Sequence, residues 1–417
     1  MSIPLVKLTT VFGLVKGIQL LIVYFTPGQF DTSSQLVIDE NFVARNEFLS
    51  SFQLFQPKLT ILLDKFIIWD TVYFNEFFVN GIKYEHQFVF CPLWWRLIHF
   101  IPYGTNNYYE KLLLSVTISN FCHYLSCIIL YYLTNQYFPQ TFTINKSRFV
   151  YYTVILFIIS PGGIFLTSGY SENFCNLLSF ISIYLHEYSL DYMAFRESNK
   201  KSIKYISLYL LSGLFVGLNV AVRANSILLG GFYLIDLYEF AILNKNWRNS
   251  VISIVSGCQI LVILILLNIH SYLLFCPQRG EWCNNTIPLL FAYAQNHYWK
   301  VGFMKYWSLN NLPNFLFALP TILINILSIK HFLNELPRLK KVFTLIFINS
   351  LLLIGGVFFW NVQILTRISG FIPLSYWYTA ILLNDPTMRK WGKIVVYYQF
   401  IWIFVQSGLF AAFLPPA

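Results

Sequence analysis

Stretches of about twenty mostly apolar residues recur along this chain, and each is long enough to cross a bilayer. Read on that length rule there are about eleven, near residues 9–25, 112–134, 150–169, 174–194, 205–222, 227–243, 251–273, 313–330, 342–360, 369–383 and 394–414. The rest of the composition agrees. Charged residues are 11% of the chain and hydrophobic ones 57%, whereas a soluble domain carries about 25% charged residues. Too few charges remain to cover a water-facing surface of normal size. The expected fold class is an all-α polytopic membrane protein, a single transmembrane unit over residues 1–417.

The formal net charge of +10 is not the mark of a nucleic-acid binder. Its basic residues sit in short clusters between the apolar runs: Lys146/Arg148, Arg196/Lys200/Lys201/Lys204, Lys245/Arg248, Arg338/Lys340/Lys341 and Arg389/Lys390/Lys393. These follow every second run, so they share one side of the membrane, which the positive-inside rule makes the cytosol. The N-terminus then starts in the cytosol and the C-terminus ends in the lumen. The first run lacks a small-residue cleavage site before Pro27-Gly28, so it reads as a retained span rather than a signal peptide.

The other side carries two longer polar segments. Residues 26–111 hold half of the chain's 18 acids together with many aromatics, and 59–79 reads there as an amphipathic helix in the membrane surface. Residues 274–312 hold Cys276, Cys283 and the glycosylation sequon at Asn284. Those two cysteines, in a loop facing an oxidising lumen, predict a disulfide. Cys122, Cys127, Cys175 and Cys258 lie in apolar runs and read as small buried hydrophobes. No internal repeat is evident, which argues against a transporter.

Four constellations carry candidate chemistry. Trp69-Asp70 with Tyr84-Glu85-His86 places carboxylates among aromatics at the membrane surface. Asp70 suits a general base for a sugar hydroxyl, or it is a helix-surface acid pairing with Lys65. Ser168 to Asn173 is a polar break in which Ser171 and Glu172 either form a site or simply open the next helix. Arg223 and Arg367 lie at the luminal ends of runs, where a guanidinium suits a lipid phosphate, or snorkels to headgroups. Gln295 to Phe303, running on to Asn314, combines amides and rings that suit a sugar, or forms an interfacial aromatic belt. The seven histidines show no paired ligand spacing and there is no Asp-x-Asp, so no metal and no cofactor are expected. A nucleotide-sugar donor with a metal is disfavoured against a lipid-phosphate donor.

At these places the sequence resembles the GPI mannosyltransferase 2 family (PIG-V-like). The resemblance rests on Trp69 to Phe74 with Tyr84-Glu85-His86, Tyr170-Ser171-Glu172, Arg223-Ala224-Asn225, Gln295 to Phe303 with Pro313-Asn314-Phe315, and Leu365-Thr366-Arg367 with Tyr376-Trp377. Asn173, Ala224, Ser226 and Cys91 depart from the family pattern without removing a charge. The resemblance implies a GT-C glycosyltransferase fold in the endoplasmic reticulum membrane. It implies dolichyl-phosphate-mannose as donor, the mannosyl-glucosaminyl-inositol lipid of the GPI precursor as acceptor, and an α-1,6 bond to the second mannose made with inversion. It also implies a small single-pass partner subunit with a luminal domain.

Joined together, the two lines give Asp70 as the base with Glu85, His86 and Glu172 around it, though Glu85 or Glu172 stays open for that role. Arg223 and Arg367 take the donor phosphate. Trp69, Tyr170, Gln295, Tyr298, Trp299 and Asn314 contact the sugars. A sister lumenal mannosyltransferase using the same donor is the alternative, and a lipid or solute transporter the more distant one.

Overall fold

Inside a bilayer every backbone N–H and C=O must find a partner within the protein, so an apolar chain of this kind folds into helices. A computed structural model of the protein describes residues 4–51, 56–101, 107–140, 142, 145–194, 203–276 and 280–415. Among them there is no strand. Arg196, Lys200 and Lys201 of the second basic cluster lie outside the described residues.

Among the described residues eight helical stretches are long and apolar enough to span a membrane: Leu5–Phe25, Tyr108–Tyr137, Ile203–Val222, Ala224–Leu243, Trp247–Phe275, Leu309–Glu335, Lys340–Phe359 and Arg389–Ala411. The protein is thus a multi-pass membrane protein. The three remaining expected runs form helices of another kind. Glu172–Ala194 is 23 residues long, but its inner face buries Ser179, Ser182, His186, Glu187 and Ser189. Leu374–Asn384 and Lys146–Ile158 are 11 and 13 residues long and pack on each other inside the bundle.

Side-chain polarity is turned inside out, as lipid rather than water is the solvent. On Trp247–Phe275 the buried positions include Asn249, Ser250, Ser253 and Ser256, while Val251, Ile254, Leu261 and Leu266 are exposed. Small inward residues let helices approach closely. A Cβ at Gly213 would lie 2.9 Å from that of Ser256. One buried carboxylate has polar partners within the bundle: Asp236 lies 2.7 Å from His186 Nε2 and accepts a hydrogen bond from the Tyr209 hydroxyl at 2.6 Å.

The segment 26–111 folds over one end of the bundle with a core of its own, in which Phe48, Phe66, Phe74, Phe77 and Trp94 meet Phe165, Tyr170 and Phe410 from the bundle. The expected continuous helix over 59–79 is broken here. Gln56–Asp64 and Asp70–Val79 are separate helices, and Phe66, Ile67 and Ile68 between them are buried. The break is at Trp69, held at φ +53°. On the second helix Phe74 and Phe77 are buried, while Tyr73 is exposed and stacks on Phe90.

The run expected over 150–169 is also interrupted. Its helix ends at Ile158, and Pro161-Gly162-Gly163 turn the chain into an irregular loop. Proline lacks an N–H and restrains the residue before it. Residues 160–171 are buried throughout, so their backbone groups need partners. Side chains from surrounding helices provide them. Trp402 Nε1 and Gln406 Nε2 donate to Pro161 O at 3.1 and 3.3 Å, and Ile164 N donates to Gln406 Oε1 at 3.1 Å. Asn120 Nδ2 donates to Thr167 O at 2.7 Å, and Trp94 Nε1 to Gly169 O at 3.1 Å.

Gly163 sits at φ +48°, and a Cβ there would lie 1.9 Å from Gln406 Oε1. Gly163→Ala is therefore expected to destabilise the protein by about 1–3 kcal/mol through strain and overpacking. The check is the thermal unfolding midpoint of the purified variant. A midpoint equal to that of the unmodified protein would show that the loop yields without cost.

Candidate active site

The buried loop delivers its last residues to a cluster of four charges. Glu172 opens the helix Glu172–Ala194. Its Oε1 receives Arg223 Nη1 at 3.0 Å, Arg367 Nη2 at 2.7 Å and Arg367 Nε at 2.9 Å. Arg367 Nη2 also contacts Asp70 Oδ2 at 3.0 Å. Four residues from widely separated parts of the sequence thus make one ionic group, two cations and two anions.

Each is positioned by a local device. Asp70 is the first residue of its helix because Trp69 turns the chain with a left-handed backbone. The preceding carbonyl, Ile68 O, is taken by the Tyr170 hydroxyl at 3.0 Å. Arg223 lies at the extended junction after Ile203–Val222 and donates to Ser171 Oγ at 3.2 Å. Cys91 Sγ lies 3.0 Å from the same oxygen. The Arg367 guanidinium is stacked 4.1 Å above the Phe165 ring and 5.3 Å from that of Tyr170. A planar cation over an aromatic face gains electrostatic attraction at little cost in order.

The two carboxylates differ in access. The Glu172 side chain is 1% exposed and that of Asp70 31%. Burial opposes ionisation of Glu172, but Arg223 and Arg367 outweigh it and hold its pKa below the usual carboxylate value. A molecule arriving at the cluster meets Asp70 and the edges of the guanidinium groups, and Glu172 stays behind them.

Glu85 and His86 belong to a neighbouring cluster. Glu85 accepts hydrogen bonds from Trp282 Nε1 at 2.8 Å and from the Tyr298 hydroxyl at 2.7 Å. His86 lies between the rings of Tyr84 and Tyr298, and burial lowers its pKa against the opposite pull of Glu85. This cluster ties segment 26–111 to segment 274–312. Among the described residues no hydrogen bond or ion pair joins it to the Asp70–Arg367 group. Cys276 and Cys283 form a disulfide that frames Trp282, while Asn284 is exposed. Trp299 packs edge-on against Phe90, and the Gln295 carbonyl accepts Val301 N. Asn314 donates to the Tyr306 hydroxyl, which donates to Gln363, one helical turn before Arg367.

Sequence reasoning brought Asp70, Glu172, Arg223 and Arg367 forward, and the fold gathers those four. It missed Phe165, Ser171 as a bridge, and Trp282. Trp282, between the two disulfide cysteines, was the one with a visible signal, a large aromatic in a polar turn. Tyr170, expected at the sugar, is buried with its hydroxyl committed to the backbone behind Asp70. Among the described residues no three His, Cys, Asp or Glu side chains converge as a metal site.

The whole fold aligns with the crystal structure of the Archaeoglobus fulgidus oligosaccharyltransferase tethered with an acceptor peptide. The TM-score is 0.53 at 10% identity, covering 98% of this chain and 55% of that one, so this chain spans about half its length. The fold is that of a GT-C membrane glycosyltransferase. The family model described as mannosyltransferase (PIG-V) matches residues 5–342 and 338–417. Proteins named GPI mannosyltransferase 2 are similar over nearly the full length: that of Candida albicans is 46% identical (99% of both chains), and that of Saccharomyces cerevisiae 34% (99% of this chain, 100% of that one). The chain belongs to the PIG-V mannosyltransferase family and is a glycosyltransferase.

The depressed pKa of Glu172 sets a pH dependence. A carboxyl ionised more easily when folded stabilises the fold above its unfolded pKa, and this is lost as pH falls through the folded value. Glu172→Gln leaves two arginines short of a counter-ion and is expected to cost about 3–5 kcal/mol at pH 7. The gap in unfolding midpoint between the two proteins should close as pH drops below the ordinary glutamate pKa of about 4.3. An equal gap at pH 7 and at the acid end would contradict the ionised pairing.

Proposed function

We propose that this protein transfers mannose from dolichyl-phosphate-mannose to the one-mannose GPI precursor, adding the second mannose in α-1,6 linkage at the luminal face of the endoplasmic reticulum. The observation that carries this reading is an accessible carboxylate, Asp70, paired with Arg367, which shares Glu172 with Arg223, in a chain of the PIG-V family. The names of the relatives support the GPI precursor as acceptor.

In this reading an Asp70 oxygen takes the proton of the acceptor hydroxyl. The hydroxyl oxygen attacks C1 of mannose from the face opposite the phosphate. The C1–O bond to the phosphate breaks, and dolichyl phosphate leaves with the electron pair, giving inversion. Arg223 and Arg367 neutralise the charge that develops on that phosphate, so no metal is required. Glu172 holds both arginines and Tyr170 holds the turn before Asp70. The cluster of Glu85, His86 and Tyr298, with Trp69, Gln295, Trp299 and Asn314, forms the sugar-facing wall. A small single-pass subunit with a luminal domain completes the enzyme.

Membranes depleted of this protein should accumulate the one-mannose GPI intermediate. If they accumulate any other intermediate, the acceptor assignment falls. Asp70→Asn should lower transfer by about 10²–10⁴-fold, the usual cost of a lost general base, in protein that remains inserted. Near-normal turnover would transfer the role to another group.

Arg223→Ala and Arg367→Ala should weaken the donor more than the acceptor, by about 1.5–3 kcal/mol each for a lost charged hydrogen bond. Apparent KM values measured separately for the two lipids are the check. Unchanged donor dependence in both variants would leave the arginines a purely structural role.

A further inference from the structure

The first membrane helix, Leu5–Phe25, turns five buried residues toward the bundle, and two of them are Lys16 and Gln19. An ionisable side chain within a span is expensive and is seldom retained without a task. Lys16 is 6% exposed. Among the described residues its ammonium has no carboxylate partner: it donates to Leu166 O at 2.5 Å and to Thr167 Oγ1 at 2.8 Å, and lies 5.5 Å from the centroid of the Phe12 ring. The Thr167 hydroxyl passes its own proton on to Gln19 Oε1 at 2.7 Å. Lys16 therefore has no ion pair to explain its burial. It has instead a grip on two consecutive residues of the buried loop.

Those residues occupy a sensitive place. Phe165, immediately before them, is the ring on which the Arg367 guanidinium rests. Tyr170, three residues after Thr167, fixes the carbonyl behind Asp70, and Glu172 gathers both arginines. Neutral amides hold the loop elsewhere: Asn173 Nδ2 also donates to Leu166 O, at 2.8 Å, and Asn120 Nδ2 to Thr167 O. Losing the lysine thus leaves both carbonyls with a partner, and the loop should keep its course but lose its exact seat.

We infer that Lys16 is a positioning residue for sugar transfer: from the first membrane helix it clamps Leu166 and Thr167, and so sets the registration of Phe165, Tyr170 and Glu172 against Arg367 and Asp70. This rests on the reading of that charge cluster as the reaction centre.

The test uses the full-length enzyme with whatever subunits purify with it, assayed with dolichyl-phosphate-mannose and the one-mannose GPI precursor. Lys16→Met keeps the length and apolar stem of the side chain and removes only the donor. It should lower kcat by about 10–100-fold, the cost of a small misplacement, with KM for both lipids within about twofold. Thr167→Val should lower kcat in the same sense but less. The double variant should be no worse than Lys16→Met alone, because both act through one contact. Wild-type kcat in Lys16→Met overturns the inference. So does a fall in kcat matched by an equal rise in KM, or losses that multiply in the double variant. If Lys16→Met gives no folded enzyme, Thr167→Val decides: reduced kcat at unchanged KM and unchanged unfolding midpoint supports the inference, and unchanged kcat refutes it. Glu172→Gln runs alongside as a control. Activity in that variant removes the charge cluster as reaction centre. Its inactivity beside a fully active Lys16→Met removes only the role of Lys16.

Discussion

A stretch of backbone buried among membrane helices but outside their regular hydrogen bonding has no water to satisfy it, so its carbonyls and amides must be met by its own turns and by side chains. Residues 160–171 form such a stretch, and the architecture around them follows from that demand. Trp94, Asn120, Trp402 and Gln406 come from three different helices, and each spends its polar group on one turn of this loop. With only the short 3-10 turn Gly163–Leu166, the loop can then cross the protein and end at Tyr170, Ser171 and Glu172, where a continuous helix would have carried the chain past them. The disorder of the trace is only apparent. It is fixed from several sides, which is the condition for holding an arginine over a ring and a carboxylate against two guanidinium groups.

The membrane class, the polar segments 26–111 and 274–312 and the four charges of the cluster were all legible in the sequence. Apolar runs and isolated charges report directly on solvation, and a carboxylate or guanidinium beside hydrocarbon stands out against its surroundings. What stayed hidden depends on geometry across the bundle. Nothing near Trp69 announces a left-handed residue, so the helix over 59–79 reads as continuous, although the Tyr170 hydroxyl takes the carbonyl just before it. Tyr170 itself reads as a sugar contact because tyrosines in polar breaks often are exposed. Only the packing of Phe74, Phe165 and Phe410 around it shows its inward course. Eight of the eleven apolar runs form helices long and apolar enough to span among the described residues, and the other three differ for a related reason. Hydropathy cannot tell a run facing lipid from one enclosed by other helices, as Leu374–Asn384 is.

The second cluster has a mechanical aspect. Glu85 is bonded to Trp282 and Tyr298, so two long segments far apart in sequence share one carboxylate. Trp282 is in turn framed by the disulfide of Cys276 and Cys283. The two segments are therefore joined by this carboxylate and by the ring contacts of His86 with Tyr298 and of Phe90 with Trp299.

The four charges of the centre sum to zero before any substrate arrives, since Arg223 and Arg367 are matched by Asp70 and Glu172. A net-neutral group projects little field beyond its own dimensions. An anionic ligand approaching the group is then not drawn in from a distance, and must displace Asp70 from Arg367 at contact range. Encounter should proceed at a rate set by lateral diffusion and hardly altered by ionic strength.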